Sequence, residues 1–123
     1  MPSFNPPNSA VWFEIPVTDF DRAKRFYETV LQVELALEEG GPNPMAAFPA
    51  ASDASVRGHI YPGKPCAPGT GITIHLAVAA PIEDAMARVT SAGGSVVSPV
   101  ITIPAGRFAY CLDPDGNSFG LFV

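Results

Sequence analysis

The sequence predicts an α+β domain built from two tandem βαβββ modules. Three observations predict it. Two stretches of period-2 apolar alternation occur, at Val11 to Val17 and at Ile72 to Val78. Each is followed by a stretch of helical apolar spacing, and a segment rich in proline and glycine, residues 62–71, separates the halves. A chain of 123 residues fits one domain, and 47% hydrophobic against 15% charged residues suits a compact protein with a sizeable interior. The expected organisation is therefore a single domain over 1–123, with module 1 at about 10–61, a linker at 62–71 and module 2 at 72–123.

In the first half, Val11, Phe13, Ile15 and Val17 alternate with Trp12, Glu14 and Pro16, as in a strand with one face against a core. Thr18 or Asp19 can cap a helix, because either side chain accepts from the unpaired N–H groups of a first turn. Phe20, Ala23, Phe26, Tyr27, Val30 and Leu31 then recur at helical spacing, opposite Asp21, Arg22, Lys24, Arg25 and Glu28. Tyr27 is read as core. Three weaker strands follow, at Gln32 to Glu38, Met45 to Phe48 and Val56 to Tyr61. Turns at Gly40-Gly41-Pro42-Asn43-Pro44 and at Pro49 to Asp53 separate them.

After the linker the pattern restarts. Ile72, Ile74, Leu76 and Val78 oppose Thr73, His75 and Ala77. Pro81 suits the first turn of a helix, Glu83 and Asp84 complement its dipole, and Ile82, Ala85, Met86 and Val89 form the buried stripe. Gly93-Gly94 ends it. Ser95 to Val100 and Phe108 to Leu112 read as strands, and Asp113-Pro114-Asp115-Gly116-Asn117 is a hairpin turn before Phe119, Leu121 and Val123. An offset of 61 residues relates the halves. It sets Trp12 on Thr73, Glu14 on His75, Arg57 on Ser118 and His59 on Gly120.

Charge and composition narrow the functions. The net charge is −5 and the seven basic residues are scattered, which argues against a nucleic-acid partner and against an anionic membrane surface. Cys66 and Cys111 form neither a disulfide framework nor a CxxC motif, and no apolar run has signal-peptide or membrane-spanning length. A cytoplasmic protein is the expectation. No dinucleotide fingerprint, P-loop, nucleophile elbow or HExxH motif is present.

The run from Phe13-Glu14-Ile15-Pro16-Val17 through Phe26-Tyr27 to Val30-Leu31 resembles the first strand and helix of the vicinal oxygen chelate superfamily, the glyoxalase, bleomycin resistance and extradiol dioxygenase proteins. Ile74-His75-Leu76-Ala77-Val78 resembles the strand opening that family's second module, and Leu112-Asp113-Pro114-Asp115-Gly116-Asn117 its last turn. The resemblance implies two modules placed edge to edge in an eight-stranded, strongly curved mixed sheet. Helices lie on its convex side and a small-molecule ligand in the concave cup. It also implies a homodimer. The mixed strand faces, carrying Trp12, Glu14, Arg57, His59, Tyr61, Thr73, His75, Ser118, Gly120 and Phe122, are expected to line the cup.

Metal-dependent members carry ligands on the first and last strand of each module. By resemblance those positions are Trp12, His59, Thr73 and Gly120, of which only His59 is a good ligand. The standard metal centre is expected to be absent and no cofactor is expected. A shifted site of Glu14, His59 and His75 is the alternative, since two imidazoles and a carboxylate make an open metal site. Each candidate has two readings. Trp12 stacks on a planar ligand or fills the cup. Glu14 is a general base, or it pairs with Arg57 or His75. His75 does acid–base work or makes a structural hydrogen bond. Arg57 holds an anion or has a local partner. Asp113 and Asp115 are read as turn residues. The leading expectation is small-molecule binding lined by Trp12, Arg57, His59, Tyr61, Thr73, Ser118 and Phe122. The alternative is a glyoxalase-like lyase or isomerase, using the shifted metal site or Glu14 and His75 as a metal-free acid–base pair.

Overall fold

The computed structural model describes residues 3–39 and 41–123, so Gly40 of the expected first turn lies outside the described residues. The first half gives β1 (Trp12–Val17), α1 (Phe20–Leu31), β2 (Ala36–Glu38), β3 (Met45–Ala47) and β4 (Arg57–Pro62). The second gives β5 (Ile74–Ala77), α2 (Ile82–Ser91), β6 (Ser95–Val96), β7 (Ile101–Ile103), β8 (Gly106–Leu112) and β9 (Ser118–Phe122). The strand–helix–strands order repeats, as the alternation predicts.

Each half builds its own sheet. One has the order β1-β4-β3-β2; the other runs β5-β9-β8-β6, with β7 also on β8. Within each, the opening strand pairs in parallel with the closing one. Glu14 opposes His59 in one, and His75 opposes Gly120 in the other, which are equivalent pairs under the 61-residue offset. Where the resemblance implies one eight-stranded sheet, no ladder among the described residues joins the two. β1 and β5 are edge strands, and Phe13 and Ile74 line two cavities that both strands border. The ninth strand arises at Pro99. Proline has no N–H for a ladder, and Ser98 Oγ accepts the Tyr110 N–H there instead, so the expected strand Ser95 to Val100 is cut to two residues and resumes at Ile101.

Both helices cover the apolar sheet faces, and one core cluster spans the two halves. Asp19 caps α1 by accepting the Arg22 N–H at 3.0 Å. Pro81 sits at the N-cap of α2 and not inside its first turn. Tyr27 is fully buried, edge-on to Phe26, Phe48 and Phe119. Val11 and Ile72, expected on buried strand faces, are 74% and 92% exposed because both strands start later than the alternation does.

The turn 113–117 ties the halves together. Asp113 is buried and accepts from Tyr27 Oη at 2.7 Å and from the N–H of Asp115, the N–H of Asn117 and Asn117 Nδ2 at 2.9 Å each. Asn117 Nδ2 also donates to the Pro16 carbonyl of β1, and Asp115 accepts from the Thr18 N–H and hydroxyl. Gly116 takes φ +85, where L side chains are strained. The turn residues thus do more than the local bonding expected of them: they fix β1 against β9. No helix among the described residues is long and apolar enough to cross a membrane.

Candidate functional site between the modules

The faces turned away from the helices carry two separate side-chain groups. On the first sheet, Trp12, Glu14, Arg57, His59 and Tyr61 follow from period 2 on neighbouring strands. Trp12 Nε1 donates to His59 Nδ1 at 2.9 Å, and His59 Nε2 lies 3.3 Å from Glu14 Oε1. An indole N–H can only donate. His59 Nδ1 is therefore an acceptor, and its proton sits on Nε2. The Arg57 guanidinium carbon lies 5.7 Å from the Trp12 ring centroid, and the Tyr61 ring is edge-on to His59. His59 is buried, whereas the Glu14 side chain is 63% exposed.

On the second sheet, His75 lies across Gly120. A Cβ at Gly120 would come 2.1 Å from His75 Nδ1, so only glycine leaves room for the ring. Phe108, Tyr110 and Phe122 surround His75 with ring centroids 5.0, 5.8 and 5.7 Å away. Thr73 and Ser118 pair through their hydroxyls. Phe108 and Tyr110 are missing from the expected set, although their own alternation on the strand before the last turn could have placed them on this face.

These positions correct the expected pairings of Glu14 and the shifted metal set. Glu14 lies within ion-pair distance of His59 and not of His75, so the structural contact expected between Glu14 and His75 is not made. The shifted set of Glu14, His59 and His75 is also not gathered: among the described residues no three His, Cys, Asp or Glu side chains come together to hold a metal ion. Arg57 does not pair with Glu14 either, since it lies over Trp12.

The superfamily's metal can be tested against these residues. Trp12 offers only a donor, already spent on His59. The Thr73 hydroxyl is spent on Ser118, and the space at Gly120 is filled by the His75 ring. A divalent ion needs several oxygen, nitrogen or sulfur lone pairs converging on one point. His59 alone remains, and its two nitrogens face Trp12 and Glu14. The residues do not fit the chelate centre.

Three hollows open around this frame. The largest, about 480 Å³, runs along the unpaired edge of β1 and takes in Trp12, Glu14, Ile74, Asn117 and Ser118, with Cys66, Thr70, Gly71 and Ile72 of the linker region forming a further wall. A second, about 330 Å³, is bordered by Phe13, Arg57, Ile74 and His75. A third, about 270 Å³, lies over Glu14, His59 and Tyr61. Glu14 is common to the first and third. The linker contribution escaped the sequence reading because a Pro/Gly segment has no periodicity that would aim its side chains.

A duplicated βαβββ frame with a cleft where the modules meet defines a class of protein, and comparison with known proteins agrees. The model of the Glyoxalase/Bleomycin resistance protein/Dioxygenase superfamily matches residues 9–121, so the chain belongs to that superfamily. The chain is 31% identical over 121 residues to "Putative glyoxylase CFP32" of Mycobacterium bovis and of Mycobacterium tuberculosis, covering 95% of this chain and 44% of each relative. It therefore spans less than half the length of these curated relatives. Among solved structures, a glyoxalase/bleomycin resistance protein from Albidiferax ferrireducens T118 matches with TM-score 0.69 at 23% identity, over 94% of this chain and 98% of that one. The fosfomycin resistance protein FosX from Mesorhizobium loti matches with TM-score 0.66 at 20% identity, over 97% and 92%. At these identities the structures establish a shared fold.

Proposed function

We propose that this chain is a small-molecule-binding protein that works without the superfamily's metal centre, holding an organic ligand in the cleft between its modules. One observation carries the reading: the His75 ring occupies the space over Gly120, where the fourth metal ligand would stand. The cleft itself, apolar along most of its wall with a few convergent polar groups, is the kind of site that takes small organic molecules. Two free thiols, Cys66 exposed and Cys111 buried, suit a reducing cytoplasm. We read the protein as a homodimer, because β1 and β5 leave strand edges unpaired and closed two-fold pairing is the commonest way for soluble chains to associate. The test is a titration of EDTA-treated protein with a panel of aromatic and heteroaromatic compounds, followed through the Trp12 indole N–H resonance. Saturable shifts in the absence of metal support the reading. A panel that binds only after a divalent ion is restored overturns it.

A second reading, a glyoxalase-like lyase or isomerase, is favoured by one contact. His59 Nε2 stands 3.3 Å from Glu14 Oε1, a carboxylate placed at a cavity mouth as a general base should be. If so, Glu14→Gln abolishes turnover of a dicarbonyl-derived substrate while leaving ligand affinity in place; equal turnover in that variant removes the reading.

A further inference from the structure

We propose that the 480 Å³ cleft selects ligands carrying one positive charge, an apolar body bearing a protonated amine or amidine whose N–H groups point at Glu14. This rests on the binding reading above and names its ligand class.

The cleft wall leaves an acceptor unpaired and few side-chain donors free. Among the described residues that line it, Glu14 is the only charged one. The Trp12 N–H is spent on His59. Asn117 Nδ2 is spent on the Pro16 carbonyl and on Asp113, and Thr70 Oγ1 donates to the Ala67 carbonyl. The Ser118 hydroxyl is paired with Thr73. The side-chain donors of the wall are thus engaged inside the protein, and Arg57 borders the neighbouring hollow and not this one. On the acceptor side the balance is opposite. His59 reaches only Oε1 of Glu14, and among the described residues no donor reaches Oε2. A carboxylate with a free oxygen at the edge of an apolar wall is complementary to a charged N–H donor. A carboxylate ligand placed there would face Glu14 with no free side-chain donor to compensate, and like charges at close range repel.

The test uses three probes that share a naphthalene body: 2-(1-naphthyl)ethylamine, 2-(1-naphthyl)ethanol and 3-(1-naphthyl)propanoate. Affinities are measured by calorimetry, with backbone amide spectra to confirm that each variant is folded. The amine should bind the native chain up to about fivefold tighter than the alcohol, from a contact worth up to about 1 kcal/mol while Glu14 stays partly solvated. The acid should bind weakest. Glu14→Gln should bring amine and alcohol to within twofold of each other. Independently of any variant, the preference of the native chain should shrink as salt rises from 20 mM to 500 mM. An alcohol or acid that binds as well as the amine, or an amine preference that survives Glu14→Gln, overturns this inference and leaves the binding role standing. Failure of all three probes to bind at millimolar concentration counts against both.

Discussion

Replacing Asp113 with alanine should destabilise the fold more than any other single polar truncation in the chain. Asp113 is 4% exposed and accepts four hydrogen bonds, one of them from Tyr27, which is fully buried. The N–H groups of Asp115 and Asn117 lie in a partly exposed turn and can recover water. The Tyr27 hydroxyl cannot. Leaving a buried donor unsatisfied costs about 1–3 kcal/mol, and each hydrogen bond to a charged acceptor contributes about 1.5–3 kcal/mol where water cannot replace it. Two such effects dominate here, which gives about 3–5 kcal/mol, a large share of the roughly 5–15 kcal/mol typical of a whole domain. Tyr27→Phe removes only the donor and leaves Asp113 three partners, so it should cost about 1.5–3 kcal/mol, the value of that one bond. Urea unfolding followed by circular dichroism measures both, with the midpoint moving and the slope unchanged. A loss below about 1 kcal/mol for Asp113→Ala, or equal losses for the two variants, would refute the view that this carboxylate joins the modules.

Three further outcomes follow from the same geometry. Gly120→Ala should cost about 1–3 kcal/mol by driving a methyl into the His75 ring, and far less in a His75→Ala background, a coupling that a double-mutant cycle reads directly. Trp12→Phe should release the His59 tautomer, so that long-range nitrogen–proton NMR shows a single Nε2–H form in the native chain and a mixture in the variant. Stability should fall at both pH extremes for separate reasons. Burial raises the Glu28 carboxyl, but the Leu35 N–H and Lys24 outweigh it and hold the group below its ordinary 4.5. Its contribution is therefore present above that value and lost as pH falls, and Glu28→Gln should flatten the acid limb. Burial, reinforced by Asp113, holds the Tyr27 phenol well above its ordinary 10.0. That contribution is present below 10.0 and lost as pH rises, so Tyr27→Phe should weaken the alkaline limb, to which the buried Cys111 thiol, pushed up to about 11, also contributes.

Most of the fold was legible because it rests on periodicity. The alternation in Phe13, Ile15 and Val17 and the helical stripe through Phe26, Tyr27 and Val30 carry their burial in their spacing. The repeat showed itself in the equivalence of Glu14 opposite His59 with His75 opposite Gly120. The ends of strands were less legible. Val11 and Ile72 continue the alternation but meet nothing to bury them, and Pro99 interrupts a ladder through its missing N–H. Face membership was readable for the site, but partnership was not. Period 2 puts Glu14, His59 and His75 on outward faces, yet it does not measure the gap between two sheets. That gap leaves Glu14 with His59 and surrounds His75 with aromatic rings. The Trp12–His59 bond carries no sequence signal at all, since it depends on the rotamers of two side chains on adjacent strands.

The side chains around the cleft do not assemble a chelate centre among the described residues. Metal content tests this most directly: the tag-free protein is loaded in turn with iron, nickel, manganese and zinc, desalted, and assayed by plasma mass spectrometry beside His59→Ala and Glu14→Ala. The expected result is well under one ion per chain for every metal, with no difference among the three proteins. About one ion per chain in the native protein, lost in both variants, would contradict the account and make Glu14 and His59 metal ligands.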